Sequence, residues 1–328
     1  MKYTFHVREI NISDPFILAD PVSRKYYTYA AVFNRDRYPD LKFPGCFYAL
    51  ESEDLIHWSD PKKVFDSDET DFWAKLDYWA PECHIWREKY VLISSFRAPG
   101  SYRACQCLVS DSPLGPFVPV KKEPVTPKGW HCLDGTLYAD RQGRPWMVFC
   151  HEWLQVGDGQ IAAIPLSEDL GSAVGDPVIL FRASDAPWRG SFAQGGFVTD
   201  GPFLHRMQDG SLIMLWSTFT AKGYACGYAK SRSKDLFGPW EQRPEPLYFH
   251  DGAHSMLFHT FEGRLMMALH CPNDHPRKKM LLFEMEERNG ELYIVNEVTG
   301  NWYGDAGGSA AGYVYKEKCT EEIYFSGK

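Results

Sequence analysis

The sequence of 328 residues contains no apolar run long enough to span a membrane, and its basic residues form no cluster. Its formal net charge is −8, with 43 acidic residues against 35 basic ones. Proteins that bind nucleic acid or an anionic membrane surface need basic patches. The charge balance therefore argues against both kinds of partner.

The nine cysteines include no C-x-x-C pair. Cys105 and Cys107 have the alternation of one strand, so they share a face and cannot easily bridge. This usage favours buried free thiols in a reducing compartment. The first residues lack an apolar segment of signal-peptide length. We therefore expect a cytoplasmic protein, or a periplasmic or secreted one if a leader has been removed.

Helical periodicity is also scarce, and short apolar runs bounded by Gly, Pro, Asp and Asn dominate the chain. Aromatic residues make up 15% of the sequence. Such a content suits all-β packing, and flat aromatic rings can also stack on sugar rings. The sequence therefore predicts an all-β protein.

Two turn patterns repeat in phase along the chain. A short polar turn between apolar runs recurs at residues 23–25, 87–89, 141–144, 208–210 and 262–264. A Ser-containing turn follows it in the first four units, at residues 52–58, 110–117, 167–170 and 233–240. This repetition predicts a five-bladed β-propeller of four-stranded blades. The alternative is a two-domain β protein whose turns only look alike.

In a propeller, the N-terminal ends of the innermost strands meet at one face of the central channel. The prediction is a single domain over residues 1–328, with blades beginning near residues 14, 79, 131, 199 and 251. Acids recur at these strand entrances, and the fifth entrance also carries a histidine: Asp14, Glu82, Asp134, Asp200, and Asp251 with His254.

Several carboxylates that face one pocket cannot all ionise at their usual pKa values. One can then serve as a base and another as a protonated acid, the pair that glycosidic hydrolysis requires. Inverting enzymes hold these groups roughly 6.5–9.5 Å apart. The sequence shows no phosphate-binding Gly-rich loop, zinc-spaced histidine pair or nucleophile elbow in a fitting context.

Five motifs, in order from about residue 11 to 296, resemble those of glycoside hydrolase family 43. The motifs are Asp14-Pro15, Trp79-Ala80-Pro81-Glu82, Leu133-Asp134-Gly135-Thr136, Asp200-Gly201-Pro202 and Ala253-His254-Ser255-Met256. The resemblance implies a five-bladed propeller that inverts configuration and acts on α-L-arabinofuranosides or β-D-xylosides of plant polysaccharides. We expect exo action, because the long segments 31–46, 66–78 and 184–197 could close one end of a cleft.

The resemblance also implies roles for individual residues. Asp14 would be the general base that activates water, and Asp134 would orient the acid and raise its pKa. His254 resembles the family's channel histidine, which lies near a bound calcium ion or a water cluster, so it is the candidate metal ligand. No cofactor is required for the reaction itself.

The sequence departs from the family at the general acid. The family has Glu in a Glu-Gly-Pro motif, whereas this chain has Asp200 there. Asp is shorter by one methylene, on the order of 1.5 Å, and misplacement on that scale can cost about a hundredfold in rate. Three hypotheses follow: Asp200 is the acid, Glu152 supplies the acid instead, or the site binds sugar without hydrolysing it.

Residues beside the motifs or on loops of the same face are candidates for a sugar-binding wall, although core packing should claim at least half of them. They are Phe33, Trp79, Trp130, His131, Trp153 and Trp188. Glu82 would either bond substrate hydroxyls or brace the channel. The expected partner is an oligosaccharide or a polysaccharide side chain.

Other five-bladed families remain alternatives. Glu82-Cys83 is similar to a pair found in invertase-like hydrolases, but the nucleophile motif of that group is absent around Asp14. Mannoside phosphorylases are a second related family. From a different class, a non-catalytic propeller that binds glycans or proteins would also fit the repeats. The unequal repeat lengths and the acidic centre favour a pocket over a broad binding surface.

Overall fold

The computed structural model describes residues 3–30, 34 and 37–299, and it folds these residues into five antiparallel sheets. The sheets are arranged as the blades of a five-bladed β-propeller, which confirms the all-β fold that the repeated turns predict. No described helix is both long and apolar enough to cross a membrane.

The strands follow one another through the blades in chain order. Blade 1 contains β1 (Tyr3–His6), β2 (Phe16–Asp20), β3 (Lys25–Ala30), β4 (Cys46–Ser52), β5 (His57–Ser59) and β6 (Lys62–Asp66). Blade 2 contains β7 (Leu76–Trp86), β8 (Lys89–Arg97), β9 (Ala104–Ser110) and β10 (Val118–Pro119). Blade 3 contains β11 (Cys132–Ala139), β12 (Pro145–His151), β13 (Gln160–Pro165) and β14 (Val178–Arg182). Blade 4 contains β15 (Asp200–Arg206), β16 (Leu212–Thr220), β17 (Gly223–Ser231) and β18 (Trp240–Gln242). Blade 5 contains β19 (Ala253–His259), β20 (Leu265–Cys271), β21 (Lys279–Arg288) and β22 (Glu291–Glu297).

Helical structure in the described residues is limited to single turns. The α-helix is α1 (Trp153–Val156), and the 3₁₀ turns are Val7–Glu9, Ala183–Asp185 and Ala193–Gly195.

The repeated turns connect equivalent strands in each blade. The five polar turns join the first strand to the second, and the four Ser-containing turns join the third to the fourth. Blade 1 differs from the predicted four strands. Its outer part is divided between β5 and β6, which both pair with β4, and β1 adds a further strand by pairing with β5.

Apolar side chains between the blades form the core. Strands such as β16 (Leu212–Thr220) are nearly continuous apolar runs because both of their faces are covered. Aromatic rings fill the space between blades 1 and 2, where the centroid of Phe47 lies 5.7 Å from that of Tyr78 and 5.8 Å from that of Phe96. The rigid blades therefore fix the positions of the strand ends around the channel.

The N-terminal segment closes the ring between the first and last blades. Asn11 forms a bridge with Lys279 at the start of β21, and the Ile12 N–H donates to the Lys278 carbonyl oxygen at 3.1 Å. This connection brings the segment that contains Asp14 against blade 5. The candidate base therefore lies next to the histidines of that blade.

Eight of the nine cysteines lie in the described residues, and all eight are buried free thiols, Cys105 and Cys107 among them. Burial raises the pKa of the Cys107 thiol to about 12. Such thiols are poor nucleophiles because the reactive thiolate is disfavoured. The ninth, Cys319, lies outside the described residues.

Candidate active site

A residue in the left-handed backbone region lies at the channel end of the inner strand in every blade. These residues are Asp14, Ala80, Asp134, Gly201 and His254, with φ values of 49°, 45°, 53°, 51° and 56°. In blades 2 to 5 the pairing register of the inner strand also shifts at this point. Such bulges redirect side chains, and left-handed non-glycine residues cost of order 1–3 kcal/mol each. The strain is therefore repeated around the channel.

Asp200 does not occupy the position equivalent to the other two catalytic candidates. Asp14 and Asp134 are the left-handed residues of their blades, whereas in blade 4 that residue is Gly201 and Asp200 precedes it. The sequence pattern had suggested one recurring position for the acids, and the structure corrects this. The offset makes the Asp200 side chain leave the strand in a different direction from those of Asp14 and Asp134.

Asp14 is surrounded by nitrogen atoms from blade 5. Its Oδ1 lies 3.3 Å from His254 Nδ1 and 3.1 Å from His270 Nδ1, and its backbone N–H donates to His270 Nδ1. Burial opposes the ionisation of Asp14, but the His254, His270 and Lys278 side chains outweigh it and hold the pKa of Asp14 well below its usual range. Asp14 is therefore the carboxylate that stays ionised.

Asp134 is buried near the same histidine nitrogen as Asp14, because His254 Nδ1 lies 3.8 Å from Asp134 Oδ2. The Gly201 N–H donates to the same oxygen at 3.0 Å, and the Asp134 N–H donates to Ser95 Oγ at 2.8 Å. Burial and the neighbouring Asp14 charge raise the pKa of Asp134 well above its usual value. The hydrogen bond to Gly201 links Asp134 directly to the turn that carries Asp200.

Asp200 is buried at the start of β15 and accepts a hydrogen bond from Tyr224 Oη at 3.0 Å. Burial and the nearby Asp134 raise the pKa of Asp200 to about 8, although His254 and Tyr224 act in the opposite direction. Two carboxyl groups that oppose each other's ionisation retain a proton between them near neutral pH. The surroundings thus favour ionisation of Asp14 and protonation within the pair formed by Asp134 and Asp200.

Glu152 lies in a buried ion-pair network beside the carboxylate cluster. Its Oε1 is 2.6 Å from Arg103 Nη1, and its Oε2 is 2.5 Å from His131 Nδ1. Burial favours the protonated form, but Arg103 and His131 outweigh it and lower the pKa of Glu152. An ionised carboxylate with both oxygens engaged is a poor proton donor, so this geometry favours Asp200 over Glu152 as the acid.

Glu82 is also engaged within the protein. Its Oε2 lies 2.9 Å from His84 Nε2, and the His84 ring centroid lies 5.0 Å from that of Phe16 in blade 1. These contacts connect blades 1 and 2 near the channel. Of the two roles expected for Glu82, the arrangement favours bracing.

Two of the aromatic candidates, Trp79 and Trp130, are partly exposed, and each packs one ring face against another side chain. The Arg103 guanidinium carbon lies 3.9 Å from the centroid of the Trp79 ring, and Trp130 stacks on His151 with centroids 4.1 Å apart. His131 directly follows Trp130 in the chain and contacts the ring of Tyr102, 5.5 Å away between centroids. Trp79, Trp130 and His131 can therefore present surface to a ligand.

Two other tryptophans pack within the protein. Trp153 in α1 is buried against Phe192, with centroids 5.8 Å apart. Trp188 packs on Trp216 between blades 3 and 4, with centroids 5.1 Å apart. Both therefore contribute to packing around the site. Phe33 lies outside the described residues.

The sequence did not reveal several residues of the cluster: Arg103, Tyr224, His270 and Lys278. His270 lies next to the end of the second strand of blade 5, and Glu152 follows that of blade 3, so the ends of second strands were the available signal. Tyr224 and Arg103 belong to no motif that repeats between blades. Their positions depend on contacts across the propeller rather than on local sequence.

The family resemblance implies a calcium ion near His254. Among residues 3–30, 34 and 37–299, no group of three His, Cys, Asp or Glu side chains is placed to hold a metal ion. His254 directs Nδ1 toward Asp14 and Asp134. The described residues do not fit a site with several protein ligands, and calcium binding at His254 remains a prediction.

Known proteins resemble this chain both in sequence and in fold. The family model described as glycosyl hydrolases family 43 matches residues 6–291. An endo-arabinase from Bacteroides thetaiotaomicron, known from its crystal structure, is 40% identical to this chain in sequence. The two structures match with a TM-score of 0.82 over 89% of this chain and 100% of that one. No curated protein matched.

More distant structures share the fold. A thermostable family-43 glycoside hydrolase is 24% identical with a TM-score of 0.75, covering 88% of this chain and 93% of that one. An α-L-arabinofuranosidase from Lactobacillus brevis is 16% identical with a TM-score of 0.67, covering 88% and 94%. At these identities the likeness concerns the arrangement of the blades alone.

Proposed function

Because the chain belongs to family 43 of the glycosyl hydrolases, we propose that this glycosidase inverts configuration as it cleaves α-L-arabinofuranosyl linkages in arabinose-containing glycans. The observation that carries the proposal is the cluster of carboxyl groups near His254, whose Nδ1 lies 3.3 Å from Asp14 and 3.8 Å from Asp134. The surroundings lower the pKa of Asp14 and raise the pKa values of Asp134 and Asp200. The 40% identical endo-arabinase supports arabinose over xylose as the sugar.

Asp14 acts as the general base. It takes a proton from a water molecule while that water attacks the anomeric carbon. The histidine and lysine nitrogens around Asp14 stabilise its carboxylate before the reaction, so the group is ready at neutral and mildly acidic pH. The Asp14 backbone N–H donates to His270 Nδ1, and this bond fixes the direction of the Asp14 side chain.

Asp200 acts as the general acid and passes its proton to the leaving glycosidic oxygen. Asp134 supports this role in two ways. Its proximity opposes the ionisation of Asp200, and its Oδ2 accepts the Gly201 N–H, which holds the turn that carries the acid. A raised pKa keeps the proton on Asp200 until the bond to the leaving group breaks.

We further propose internal cleavage of arabinan chains. The support is the endo-arabinase, which matches over its whole length. The long segments between strands had led us to expect exo action, so the two modes must be separated by the products. Linear arabinan should yield a ladder of oligosaccharides early in the reaction. Release of a single small product from the start would show exo action instead.

The activity is tested with aryl α-L-arabinofuranosides, aryl β-D-xylosides and linear arabinan. We expect turnover of the arabinose substrates and an inverted anomeric product by NMR. If none of these compounds is cleaved while arabino-oligosaccharides still bind, the protein is a glycan-binding propeller. That outcome has a specific physical basis in the short side chain of Asp200.

The acid is identified by comparing Asp200→Ala with Glu152→Ala. Loss of the true acid should affect a substrate with a good leaving group far less than one with a poor leaving group, because a good leaving group needs little protonation. We expect this dependence for Asp200→Ala. Glu152→Ala should instead lower stability, because it leaves Arg103 buried without one of its partners.

A further inference from the structure

Tyr224 contacts the proposed acid from β17, two strands away from Asp200 in the same blade. It lies at the start of β17, is buried, and donates its hydroxyl proton to Asp200 Oδ2 at 3.0 Å. An oxygen that accepts this bond is the carbonyl-like oxygen of a neutral carboxyl group. The acidic proton of Asp200 is therefore favoured on Oδ1.

The ring of Tyr224 is held on two sides. Its centroid lies 4.9 Å from that of Phe219 and 5.7 Å from that of His270, with the His270 ring inclined by 25°. The Tyr224 N–H donates to Asp251 Oδ1 at 3.3 Å. These contacts leave the hydroxyl little freedom, so its direction toward Asp200 is set by the fold.

We propose that Tyr224 is a positioning residue that orients the carboxyl group of Asp200 so that Oδ1 faces the leaving oxygen. This role rests on the proposed function. It also bears on the departure from the family, because an aspartate that cannot reach as far depends more strongly on its orientation.

The proton balance of the step is simple. The O–H bond of Asp200 breaks as its proton passes to the leaving oxygen, and Asp14 receives a proton from the attacking water. Tyr224 keeps its own proton throughout. Its hydrogen bond to Oδ2 strengthens as negative charge develops on Asp200, so it stabilises the transition state more than the ground state.

The charges around Asp200 set the direction of the pH effect. Asp134 and Glu152 oppose its ionisation, whereas His254 and the Tyr224 hydroxyl favour it. Lys278 also faces Asp200 from blade 5. Removal of the hydroxyl therefore withdraws one of the groups that stabilise the carboxylate, and the pKa of Asp200 should rise further.

The test is Tyr224→Phe, which keeps the ring and removes the hydroxyl. For arabino-oligosaccharides we expect kcat to fall about 10- to 100-fold, as for loss of a hydrogen bond to a charged group, with KM little changed. The loss should be smaller for an aryl arabinofuranoside with a good leaving group. The alkaline limb of the kcat/KM profile should move to higher pH.

Tyr228→Phe is the matched control. Tyr228 is buried on the same strand, but its hydroxyl donates to Glu291 Oε2 at 2.5 Å, away from Asp200. This variant should lose stability without moving the pH limb. A second variant, Phe219→Leu, keeps the Tyr224 hydroxyl but removes one support of its ring. It should reduce kcat by a smaller factor with the same dependence on the leaving group.

The outcomes separate the two proposals. Suppose that the wild-type enzyme is active, that Tyr224→Phe lowers kcat equally for both substrates, and that the alkaline limb does not move. Tyr224 then has only a structural role and the inference is wrong. If Tyr224→Phe does not fold and Phe219→Leu shows no leaving-group dependence, the inference is wrong as well. If the wild-type protein cleaves neither substrate, the proposed function fails and the inference falls with it.

Discussion

The guanidinium group of Arg103 lies against one face of the Trp79 ring, 3.9 Å from its centroid. Arg103 is itself fixed by Asp77, 3.0 Å away, and by Glu152. Arg97 also pairs with Asp77. This buried network supports Trp79 from within the protein, so a sugar can contact the ring only on its other face.

Replacing Trp79 by Leu should raise KM for arabino-oligosaccharides about 5- to 10-fold, because a stacked aromatic contact is worth about 0.5–1.5 kcal/mol beyond its buried area. Steady-state kinetics measure the change. Trp188→Leu is the matched control, since Trp188 packs on Trp216 between blades. It should lower the melting temperature and leave KM unchanged. The reverse pattern would exchange the roles of the two tryptophans.

The pH dependence of kcat/KM should be broad, with its alkaline limb near pH 8. The pKa of Asp14 is held well below its usual range, so the base remains ionised in mildly acidic solution. Asp200, with a pKa of about 8, loses its proton as the pH rises through that value, and the acid is then absent. A profile from pH 4 to 10 tests both limbs. A decline that is complete by pH 6 would contradict the assignment of Asp200.

Asp200→Asn should abolish most activity on oligosaccharides and yet stabilise the fold. The pKa of Asp200 is about 8 in the folded protein against 3.8 normally, so folding takes up a proton between these values and stability falls as the pH rises. Asn does not ionise, and the variant should gain about 1–3 kcal/mol at pH 8. The gain should shrink toward pH 4.

Thermal unfolding at pH 4, 6 and 8 measures this trend. Glu245→Gln is the control because Glu245 is exposed. Its melting temperature should follow that of the wild-type protein at every pH. An equal shift of Asp200→Asn at all three pH values would indicate improved packing rather than loss of an unfavourable charge.

The fold could be predicted from the sequence because the turns that define it are local. Polar turns such as 208–210 recur at the same place in every blade and need no long-range information. The same reasoning placed Asp14 and Asp134 at the entrances of inner strands, where both have left-handed backbones. It also placed Asp200 at the start of its strand, but it aligned Asp200 with Asp134, whereas Gly201 is the left-handed residue of that blade.

The rest of the site depends on contacts between residues that are distant in the sequence. Tyr224 reaches Asp200 from two strands away in the same blade, and His270 reaches Asp14 across the closure of the ring. Glu152 seemed a candidate acid from its place in the chain, but its role depends on Arg103, which lies 49 residues away in sequence. Local patterns in one sequence do not reveal such pairings between distant residues.

Gly201 offers the most direct test of how the site is assembled. Its φ is +51°, and a Cβ atom there would lie 2.9 Å from the His254 ring. Gly201→Ala should push His254 away from Asp14 and Asp134 and disturb the Gly201 N–H bond to Asp134, so kcat/KM should fall by about 100-fold.

Backbone strain alone could also reduce activity, and Gly210→Ala separates this effect from the loss of His254 geometry. Gly210 has a φ of +78° with nothing within 4 Å of the added Cβ, so it introduces similar strain far from the carboxylates. Both variants should lose stability to a similar degree in urea denaturation, but only Gly201→Ala should lose activity at a temperature where both are folded. Equal activities in the two variants would show that the contact between Gly201 and His254 does not position the catalytic groups.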